Sequence, residues 1–186
     1  KYWSENAAQT YIPVGRTDTI ISTDRGYMKY VRGDRSVILT ATAATTSVLR
    51  TRGQIKRNVV TVPFTATAAN QRFSAGNPYA SAIDMRNITR TNASAMFYVW
   101  DPRLTNGVNG GVYGRGAFQL FTFDGTNYRV MPGTGSYGAA GTVDNNIESG
   151  SAFFVQSSGA GAGSVAFNES SKTDGSRPVF RGGAGT

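Results

Sequence analysis

Short runs of β-prone residues recur along the chain, about every ten residues, and Gly, Asn, Asp or Pro bounds each of them. The candidate strands span residues 11–14, 19–22, 26–31, 36–41, 47–52, 58–64, 71–75, 96–100, 117–123, 128–131, 152–156, 164–167 and 179–181. Many short strands separated by turn residues are typical of two-sheet antiparallel folds. The sequence therefore predicts an all-β protein, an antiparallel, jelly-roll-like β-sandwich with long Gly- and Asn-rich loops.

The hydrophobic pattern of four runs indicates where they lie in the sheets. Residues 59–64 and 118–123 alternate between apolar and polar side chains, which is typical of half-buried strands. Residues 96–100 and 152–155 are continuously apolar, so they require burial on both faces. We expect these two continuous runs to be central strands.

One segment, residues 80–88, departs from the strand pattern. Its apolar residues include three at a spacing of three, and it follows an Asn-Pro pair that predicts a tight turn. We expect at most one short helix here, of one or two turns. Ser81 would be its N-cap, and Ile83 and Ile88 would pack on the edge of the sandwich.

The length of 186 residues suits one domain. We therefore expect a single β-sandwich module over residues 1–181. Residues 182–186 read Gly-Gly-Ala-Gly-Thr, which has the composition of a flexible linker. We expect a linker or a trimmed end there.

The chain has no Cys and no His. This composition excludes disulfides, thiolate nucleophiles, zinc sites built on imidazole or thiolate, and Ser-His-Asp triads. Most of the 11 carboxylates lie beside Gly, Asn, Ser or Pro, where Asp and Glu oxygens accept turn hydrogen bonds. The sequence thus predicts a protein that is not an enzyme and that has no cofactor, calcium being the one ion left open.

The formal net charge of +8 does not indicate nucleic-acid binding, because the 19 Lys and Arg residues are scattered and form no basic run. No apolar run approaches the ~20 residues that a membrane-spanning helix requires. We expect neither a nucleic-acid partner nor direct insertion into a membrane.

Two candidate ligand sites lie around the end of the 96–100 run. Asp101 with Asn106 and Asn109 supplies carboxylate and amide oxygens, which are the ligands that calcium prefers. Trp100 and Tyr113, beside Asp101, could form an aromatic platform for a sugar ring. The alternative for these aromatic residues is that they close the ends of the sandwich.

The block Gly-Asn-Pro-Tyr-Ala-Ser-Ala-Ile-Asp at residues 76–84 resembles a segment of large secreted cell-surface proteins of Bacteroidetes, the cargo of the type IX secretion system. Other blocks resemble the same proteins in the same order, at residues 26–35, 48–53, 97–102, 147–155 and 165–170. The resemblance implies an exported protein, surface-attached or released, that is built as a string of β domains. It also implies a modification site, since bacteria of this group O-glycosylate Asp-Ser or Asp-Thr before an apolar residue. Asp18-Thr19-Ile20 fits that pattern, with Thr19 as the acceptor.

These observations predict a non-enzymatic module of an exported bacterial surface protein, secreted or held at the cell surface. It would act as an adhesin, a spacer or a subunit of an extracellular assembly, with other surface proteins or copies of itself as partners. One alternative is a carbohydrate-binding module of a secreted hydrolase, for which glycans would be the partners. A second alternative is a structural subunit of an extracellular filament or sheath.

Overall fold

The computed structural model describes residues 1–5, 9–16, 18–22, 24–29, 53–101, 117–131 and 145–174. Within these ranges the regular structure is antiparallel β-sheet and two 3₁₀ turns, Met85–Asn87 and Glu169–Ser171. The strands are β1 (Tyr2–Trp3), β2 (Tyr11–Ile12), β3 (Val60–Ala66), β4 (Arg72–Gly76), β5 (Ala82–Asp84), β6 (Thr89–Thr91), β7 (Ala93–Asp101), β8 (Ala117–Phe123), β9 (Tyr128–Met131), β10 (Asn146–Ile147), β11 (Ala152–Ser157), β12 (Gly161–Phe167) and β13 (Lys172–Thr173). The predicted all-β class is confirmed.

Two sheets form the sandwich. The larger has the order β4-β11-β7-β8-β9 and the smaller has the order β3-β12-β6. Strands β3 and β4 pair with β12 and β11, and β6 and β7 pair with the same two strands on their other sides. Three pairs of consecutive strands, β3–β4, β6–β7 and β11–β12, therefore cross between the two sheets, whereas β7, β8 and β9 follow one another in the larger sheet. Two smaller sheets, β10-β5-β13 and β1-β2, lie beside this sandwich.

The predicted central strands occupy interior positions of the larger sheet. β7 lies between β11 and β8, and β11 lies between β4 and β7. The predicted alternation is also observed in β3, where Val62, Phe64 and Ala66 are buried and the residues between them are exposed. The central positions of β7 and β11 and the alternation in β3 are therefore confirmed. The alternation could be predicted because a strand's two-residue period is a local property of the sequence.

Aromatic rings join the two sheets across the core. Phe64 of β3 stacks on Phe73 of β4 with ring centroids 4.3 Å apart. Phe167 of β12 meets Phe153 of β11 edge to face, at 6.2 Å. Most of the rings in the centre of the core are fully buried, so burial of aromatic surface stabilises the sandwich together with burial of aliphatic side chains such as Val155.

The helix predicted for residues 80–88 is wrong in type and extent. The segment forms β5 and then the 3₁₀ turn Met85–Asn87, and Asp84 rather than Ser81 is the N-cap, accepting a hydrogen bond from the Arg86 amide. β5 lies between β10 and β13, and Ile83 pairs with Ile147 and is fully buried. Cross-strand pairing on both sides outweighs the weak helical spacing of the apolar residues.

Several predicted strands are shorter than expected or absent. Residues 11–14 form a strand only at Tyr11–Ile12, and residues 19–22 form none. Of residues 26–31, the described part forms a single bridge, between Tyr27 and Tyr2. The other candidates without a counterpart, 36–41, 47–52 and 179–181, lie outside the described residues. In the described part of the chain, no helix has the length and hydrophobicity needed to cross a membrane.

Candidate functional site

The structure separates the two residues predicted at the end of β7. Asp101 lies on the inner face of the larger sheet and is 0% exposed, whereas Trp100 lies on the outer face and is half-buried. Their side chains therefore do not line one ligand site. Tyr113, Asn106 and Asn109 lie outside the described residues. Among the residues that the structure does describe, no group of three or more acidic side chains could hold a metal ion.

Trp100 belongs instead to an aromatic surface on the outer side of the larger sheet. Trp100 and Phe118 lie 5.1 Å apart between ring centroids, and Phe118 and Phe154 lie 5.2 Å apart. Tyr98 is the cross-strand neighbour of Phe154 on the same side. We call this surface, made of Tyr98, Trp100, Phe118 and Phe154, the aromatic face. Its side chains come from β7, β8 and β11 at positions that alternate with the core residues.

The rings of the aromatic face meet edge to face. The Trp100–Phe118 and Phe118–Phe154 pairs have interplanar angles of 78° and 61°. Adjacent rings thus present alternating faces and edges, which is the geometry of packed aromatic clusters and differs from a coplanar platform. Phe118 is 37% exposed, and Met131, on the neighbouring edge strand β9, is 45% exposed. This half of the surface is therefore accessible to a partner.

The other half of the aromatic face is covered by the N-terminal part of the chain. The ring centroids of Trp3 and Phe154 lie 4.9 Å apart, and those of Tyr11 and Trp3 lie 5.0 Å apart. Strands β1 and β2 pair with each other, and the Met28 amide donates to the Lys1 carbonyl at 2.8 Å. We call this unit, residues 1–5, 9–12 and 24–28, the N-terminal cap. It brings Trp3 and Tyr11 onto the sheet from positions far away in the sequence.

The N-terminal cap also occupies the outward edge of β4. The Arg72 amide donates to the Gln9 carboxamide at 2.6 Å, and the Trp3 indole donates to the Arg72 carbonyl at 2.9 Å. The Ser74 amide donates to the Glu5 carboxylate at 3.2 Å. At the end of the strand, the Gly76 amide donates to the Asp24 carbonyl at 3.1 Å. Among the described residues, the edge of β4 is thus satisfied mainly by side chains of the cap rather than by a neighbouring strand.

Arg25 connects the cap to both sheets. Its guanidinium donates to the Glu5 carboxylate at 2.6 Å and to the Ser74 carbonyl at 3.3 Å. A further N–H donates to the Pro63 carbonyl of β3 at 2.9 Å. Burial raises the pKa of Glu5, and the charge of Arg25 and the Ser74 amide offset part of that rise. Arg25 therefore bridges β4 of the larger sheet and β3 of the smaller sheet.

A cavity of about 300 Å³ lies within the N-terminal cap. Aromatic side chains and the Glu5–Arg25 ion pair line it; the aromatic residues are Tyr2, Trp3 and Tyr27.

A separate polar cluster lies around β5 and the 3₁₀ turn. Burial would raise the pKa of Asp84, but hydrogen bonds from the Arg86 side chain and amide and from Asn145 outweigh it, so the pKa is lowered. The half-buried Arg90 contacts Tyr128, and burial lowers the pKa of its guanidinium. These contacts link β5, the turn and Tyr128 in a structural network, although the buried Nε of Arg90 has no hydrogen-bond partner among the described residues.

Thr19, the residue implied as an O-glycosylation acceptor, is exposed. Its amide donates to the Arg16 carbonyl at 3.4 Å, and the neighbouring Asp18 forms an ion pair with Arg16. The hydroxyl therefore lies at the surface, where a modifying enzyme could reach it. Thr19 as an acceptor stays a prediction.

The described residues define an antiparallel β-sandwich domain with an aromatic outer face and a capped sheet edge. Residues 1–184 match the family described as a domain of unknown function (DUF8693), and the chain belongs to this family. No curated protein and no solved structure shows a significant similarity to the chain.

Proposed function

We propose that the domain is a non-enzymatic module of an exported bacterial surface protein and acts by binding other proteins, in adhesion, spacing or extracellular assembly. The observation that supports this most is the aromatic face. Trp100 and Phe118 are large rings left partly exposed near the end of β7 and the start of β8, on the same side as Met131 of the edge strand β9. Aromatic residues and Met are enriched where proteins contact one another.

The surroundings of the aromatic face fit a protein partner. The Arg72 guanidinium lies 5.0 Å from the centre of the Tyr98 ring, and Arg129 lies on the outer side of the edge strand β9. An apolar centre with arginines around it is the usual composition of a protein–protein interface. Export itself rests on the resemblance of the sequence blocks and is part of the proposal.

The geometry gives less support to the carbohydrate-binding alternative. A sugar ring stacks flat on an exposed aromatic face, but Trp100 and Phe118 meet at 78°. A glycan array that showed binding through Trp100 at millimolar concentration would favour that alternative over the one proposed.

The proposed function can be tested by the binding of the purified, fluorescently labelled domain to the surface of the bacterium that produces it. We expect Phe118→Ser to reduce the amount bound by about tenfold, because interface aromatics commonly contribute more than 1 kcal/mol. Val59→Ser is the matched control, since Val59 is 66% exposed and lies outside the aromatic face. Equal binding of the two variants would contradict a role for the aromatic face.

A further inference from the structure

The outward edge of β4 has backbone groups that require partners outside its own sheet. Among the described strands, β4 lies at the edge of the larger sheet and pairs with β11. In an antiparallel pair, the amides and carbonyls of alternate residues point away from the partner strand. In β4 these are the groups of Arg72, Ser74 and Gly76, since Phe73 and Ala75 face β11. An uncovered edge of this kind is a template for pairing with another chain.

The N-terminal cap matches this edge group by group but does not continue the sheet. Side chains of Gln9, Trp3, Glu5 and Arg25 contact both backbone groups of Arg72 and of Ser74. The strands within the cap, β1 and β2, are each two residues long. The cap could therefore leave the edge without breaking the hydrogen-bond ladders of the sandwich.

At Gly26 the backbone of the cap passes so close to the larger sheet that there is no room for a side chain. A Cβ atom on Gly26 would lie 2.9 Å from the Cβ atom of Ala152 in β11 and 3.3 Å from that of Ser74. Both neighbours belong to the larger sheet, whose backbone cannot easily move. A larger residue at position 26 would push the cap away while leaving the groups of the β4 edge unchanged.

We infer that the β4 edge is an interaction site for a second copy of this chain, whose N-terminal cap it can bind in place of its own. The occupant follows from the structure, because the cap already has the donors and acceptors that the edge requires. In the sequence, residues 30–52 separate Lys29 from Gly53, and a chain of that length can extend over about 75 Å at about 3.3 Å per residue. This exchange rests on the proposed role of the domain in protein contact. It names a second copy of the chain as the partner in extracellular assembly and the β4 edge as the surface that binds it.

Complementation between two full-length variants tests this exchange. Gly26→Val has an intact edge and a displaced cap. Ser74→Pro has an intact cap and a damaged edge, because proline removes an outward amide and no hydrogen bond to β11. We expect each variant alone to sediment as a monomer and an equimolar mixture to form a heterodimer. Labelled and unlabelled Gly26→Val, mixed as the control, should form none.

Amide hydrogen exchange identifies the surface involved. In Gly26→Val, the amides of Arg72 and Gly76 should exchange faster by about tenfold or more, while those of Phe73 and Ala75 stay protected by β11. Addition of Ser74→Pro should restore the protection of Arg72 and Gly76. If the amides of Phe73 and Ala75 also lose protection, the new side chain in Gly26→Val has disturbed the sheet. In that case the double variant Trp3→Ala/Glu5→Ala is used as the variant with a displaced cap, because it removes contacts of the cap without introducing a clash with the sheet.

A mixture that stays monomeric at the highest soluble concentration, with unprotected Arg72 and Gly76 amides, would overturn the exchange. Failure of the exchange and failure of the proposed function are distinguishable. Phe118→Ser lies on the other half of the sheet, so it should leave heterodimer formation unchanged while it reduces binding to cells.

Discussion

Gly163 of β12 lies directly opposite Phe64 of β3, and the Phe64 ring occupies the space where a side chain at position 163 would begin. A Cβ atom on Gly163 would lie 2.3 Å from Cε2 of Phe64 and 2.9 Å from the Thr91 carbonyl oxygen. The same ring stacks on Phe73 at 4.3 Å and so joins the two sheets. The absence of a side chain at position 163 therefore determines how the core is packed.

We expect Gly163→Ala to lower the free energy of unfolding by about 1–3 kcal/mol, the usual cost of overpacking a core. Phe64 would have to leave its rotamer, and the stacking on Phe73 would weaken. Chemical denaturation monitored by circular dichroism measures the change.

Gly159→Ala is the matched control for this prediction, because the nearest atom to its Cβ would be Asn92 Oδ1 at 3.7 Å. It should change the free energy of unfolding by less than about 0.5 kcal/mol. Equal effects of the two substitutions would show that Phe64 does not restrict position 163.

A second prediction concerns Asn77, the buried residue that follows β4. Its carboxamide accepts from the Tyr79 amide at 2.9 Å and donates to the carbonyls of Ser81 and Ile147 at 2.8 and 2.9 Å. Asn77→Ala leaves these groups without their partner, so we expect a loss of about 2–4 kcal/mol in the free energy of unfolding. Asn87→Ala, at an exposed position, should change it by less than about 0.5 kcal/mol. A small effect at Asn77 would mean that water replaces the carboxamide.

The fold class could be predicted from the sequence, but the strand pairing could not. The period of two in β3 and β8 is a local property that the residues themselves show. By contrast, Val60 pairs with Phe167 across more than half the chain, and no local pattern indicates that partner. The order of the strands in each sheet follows from such distant pairs, so only the structure shows it.

The candidate site shows the same division. Successive side chains of a strand point to opposite faces of the sheet. Extending the predicted strand 96–100 by one residue therefore places Trp100 and Asp101 on opposite faces, so their separation could have been predicted from the sequence.

In β8 the period does not decide the face, because Phe118 and Leu120 fall on one phase and Phe121 and Phe123 on the other. The structure buries Gln119 and leaves Phe118 on the outer side. No signal in the sequence linked Gln9 or Glu5 to β4, because those contacts join residues more than 60 positions apart.

A third prediction concerns the ion pair of Arg25 and Glu5, which lies between the cap and both sheets. Arg25→Ala removes the guanidinium from the half-buried Glu5 carboxylate, which keeps the Ser74 amide as a donor, and from the Pro63 carbonyl. We therefore expect a loss of about 1–3 kcal/mol in the free energy of unfolding. The pKa of Glu5, which burial already raises, should rise further in this variant because the offsetting charge of Arg25 is gone.

Two measurements check this ion-pair prediction. In a double-mutant cycle, Glu5→Gln should cost less in the Arg25→Ala background than in the native chain. Arg16→Ala removes the exposed ion pair with Asp18 and should change the free energy of unfolding by less than about 0.5 kcal/mol. If Arg16→Ala and Arg25→Ala had the same effect, the ion pair of the cap would contribute no more than a surface contact.

The last prediction is the pH dependence of the turn between β8 and β9. The amides of Asn127 and Thr126 donate to the Asp124 carboxylate, and Arg129 pairs with it, so the pKa of Asp124 is lowered from 3.8 to about 2. Since the folded-state pKa is the lower one, the unfolded chain takes up a proton first as the pH falls. The stabilising contribution of Asp124 is therefore complete above pH ~4 and is lost as the pH falls toward the folded-state pKa, about 2.

The difference in melting temperature between the native chain and Asp124→Asn should be constant from pH 7 to about pH 5 and should shrink below pH ~4. A difference that stayed constant down to pH ~2, or an Asp124 carboxyl signal in nuclear magnetic resonance that titrated near 4, would show that these hydrogen bonds do not favour the ionised form.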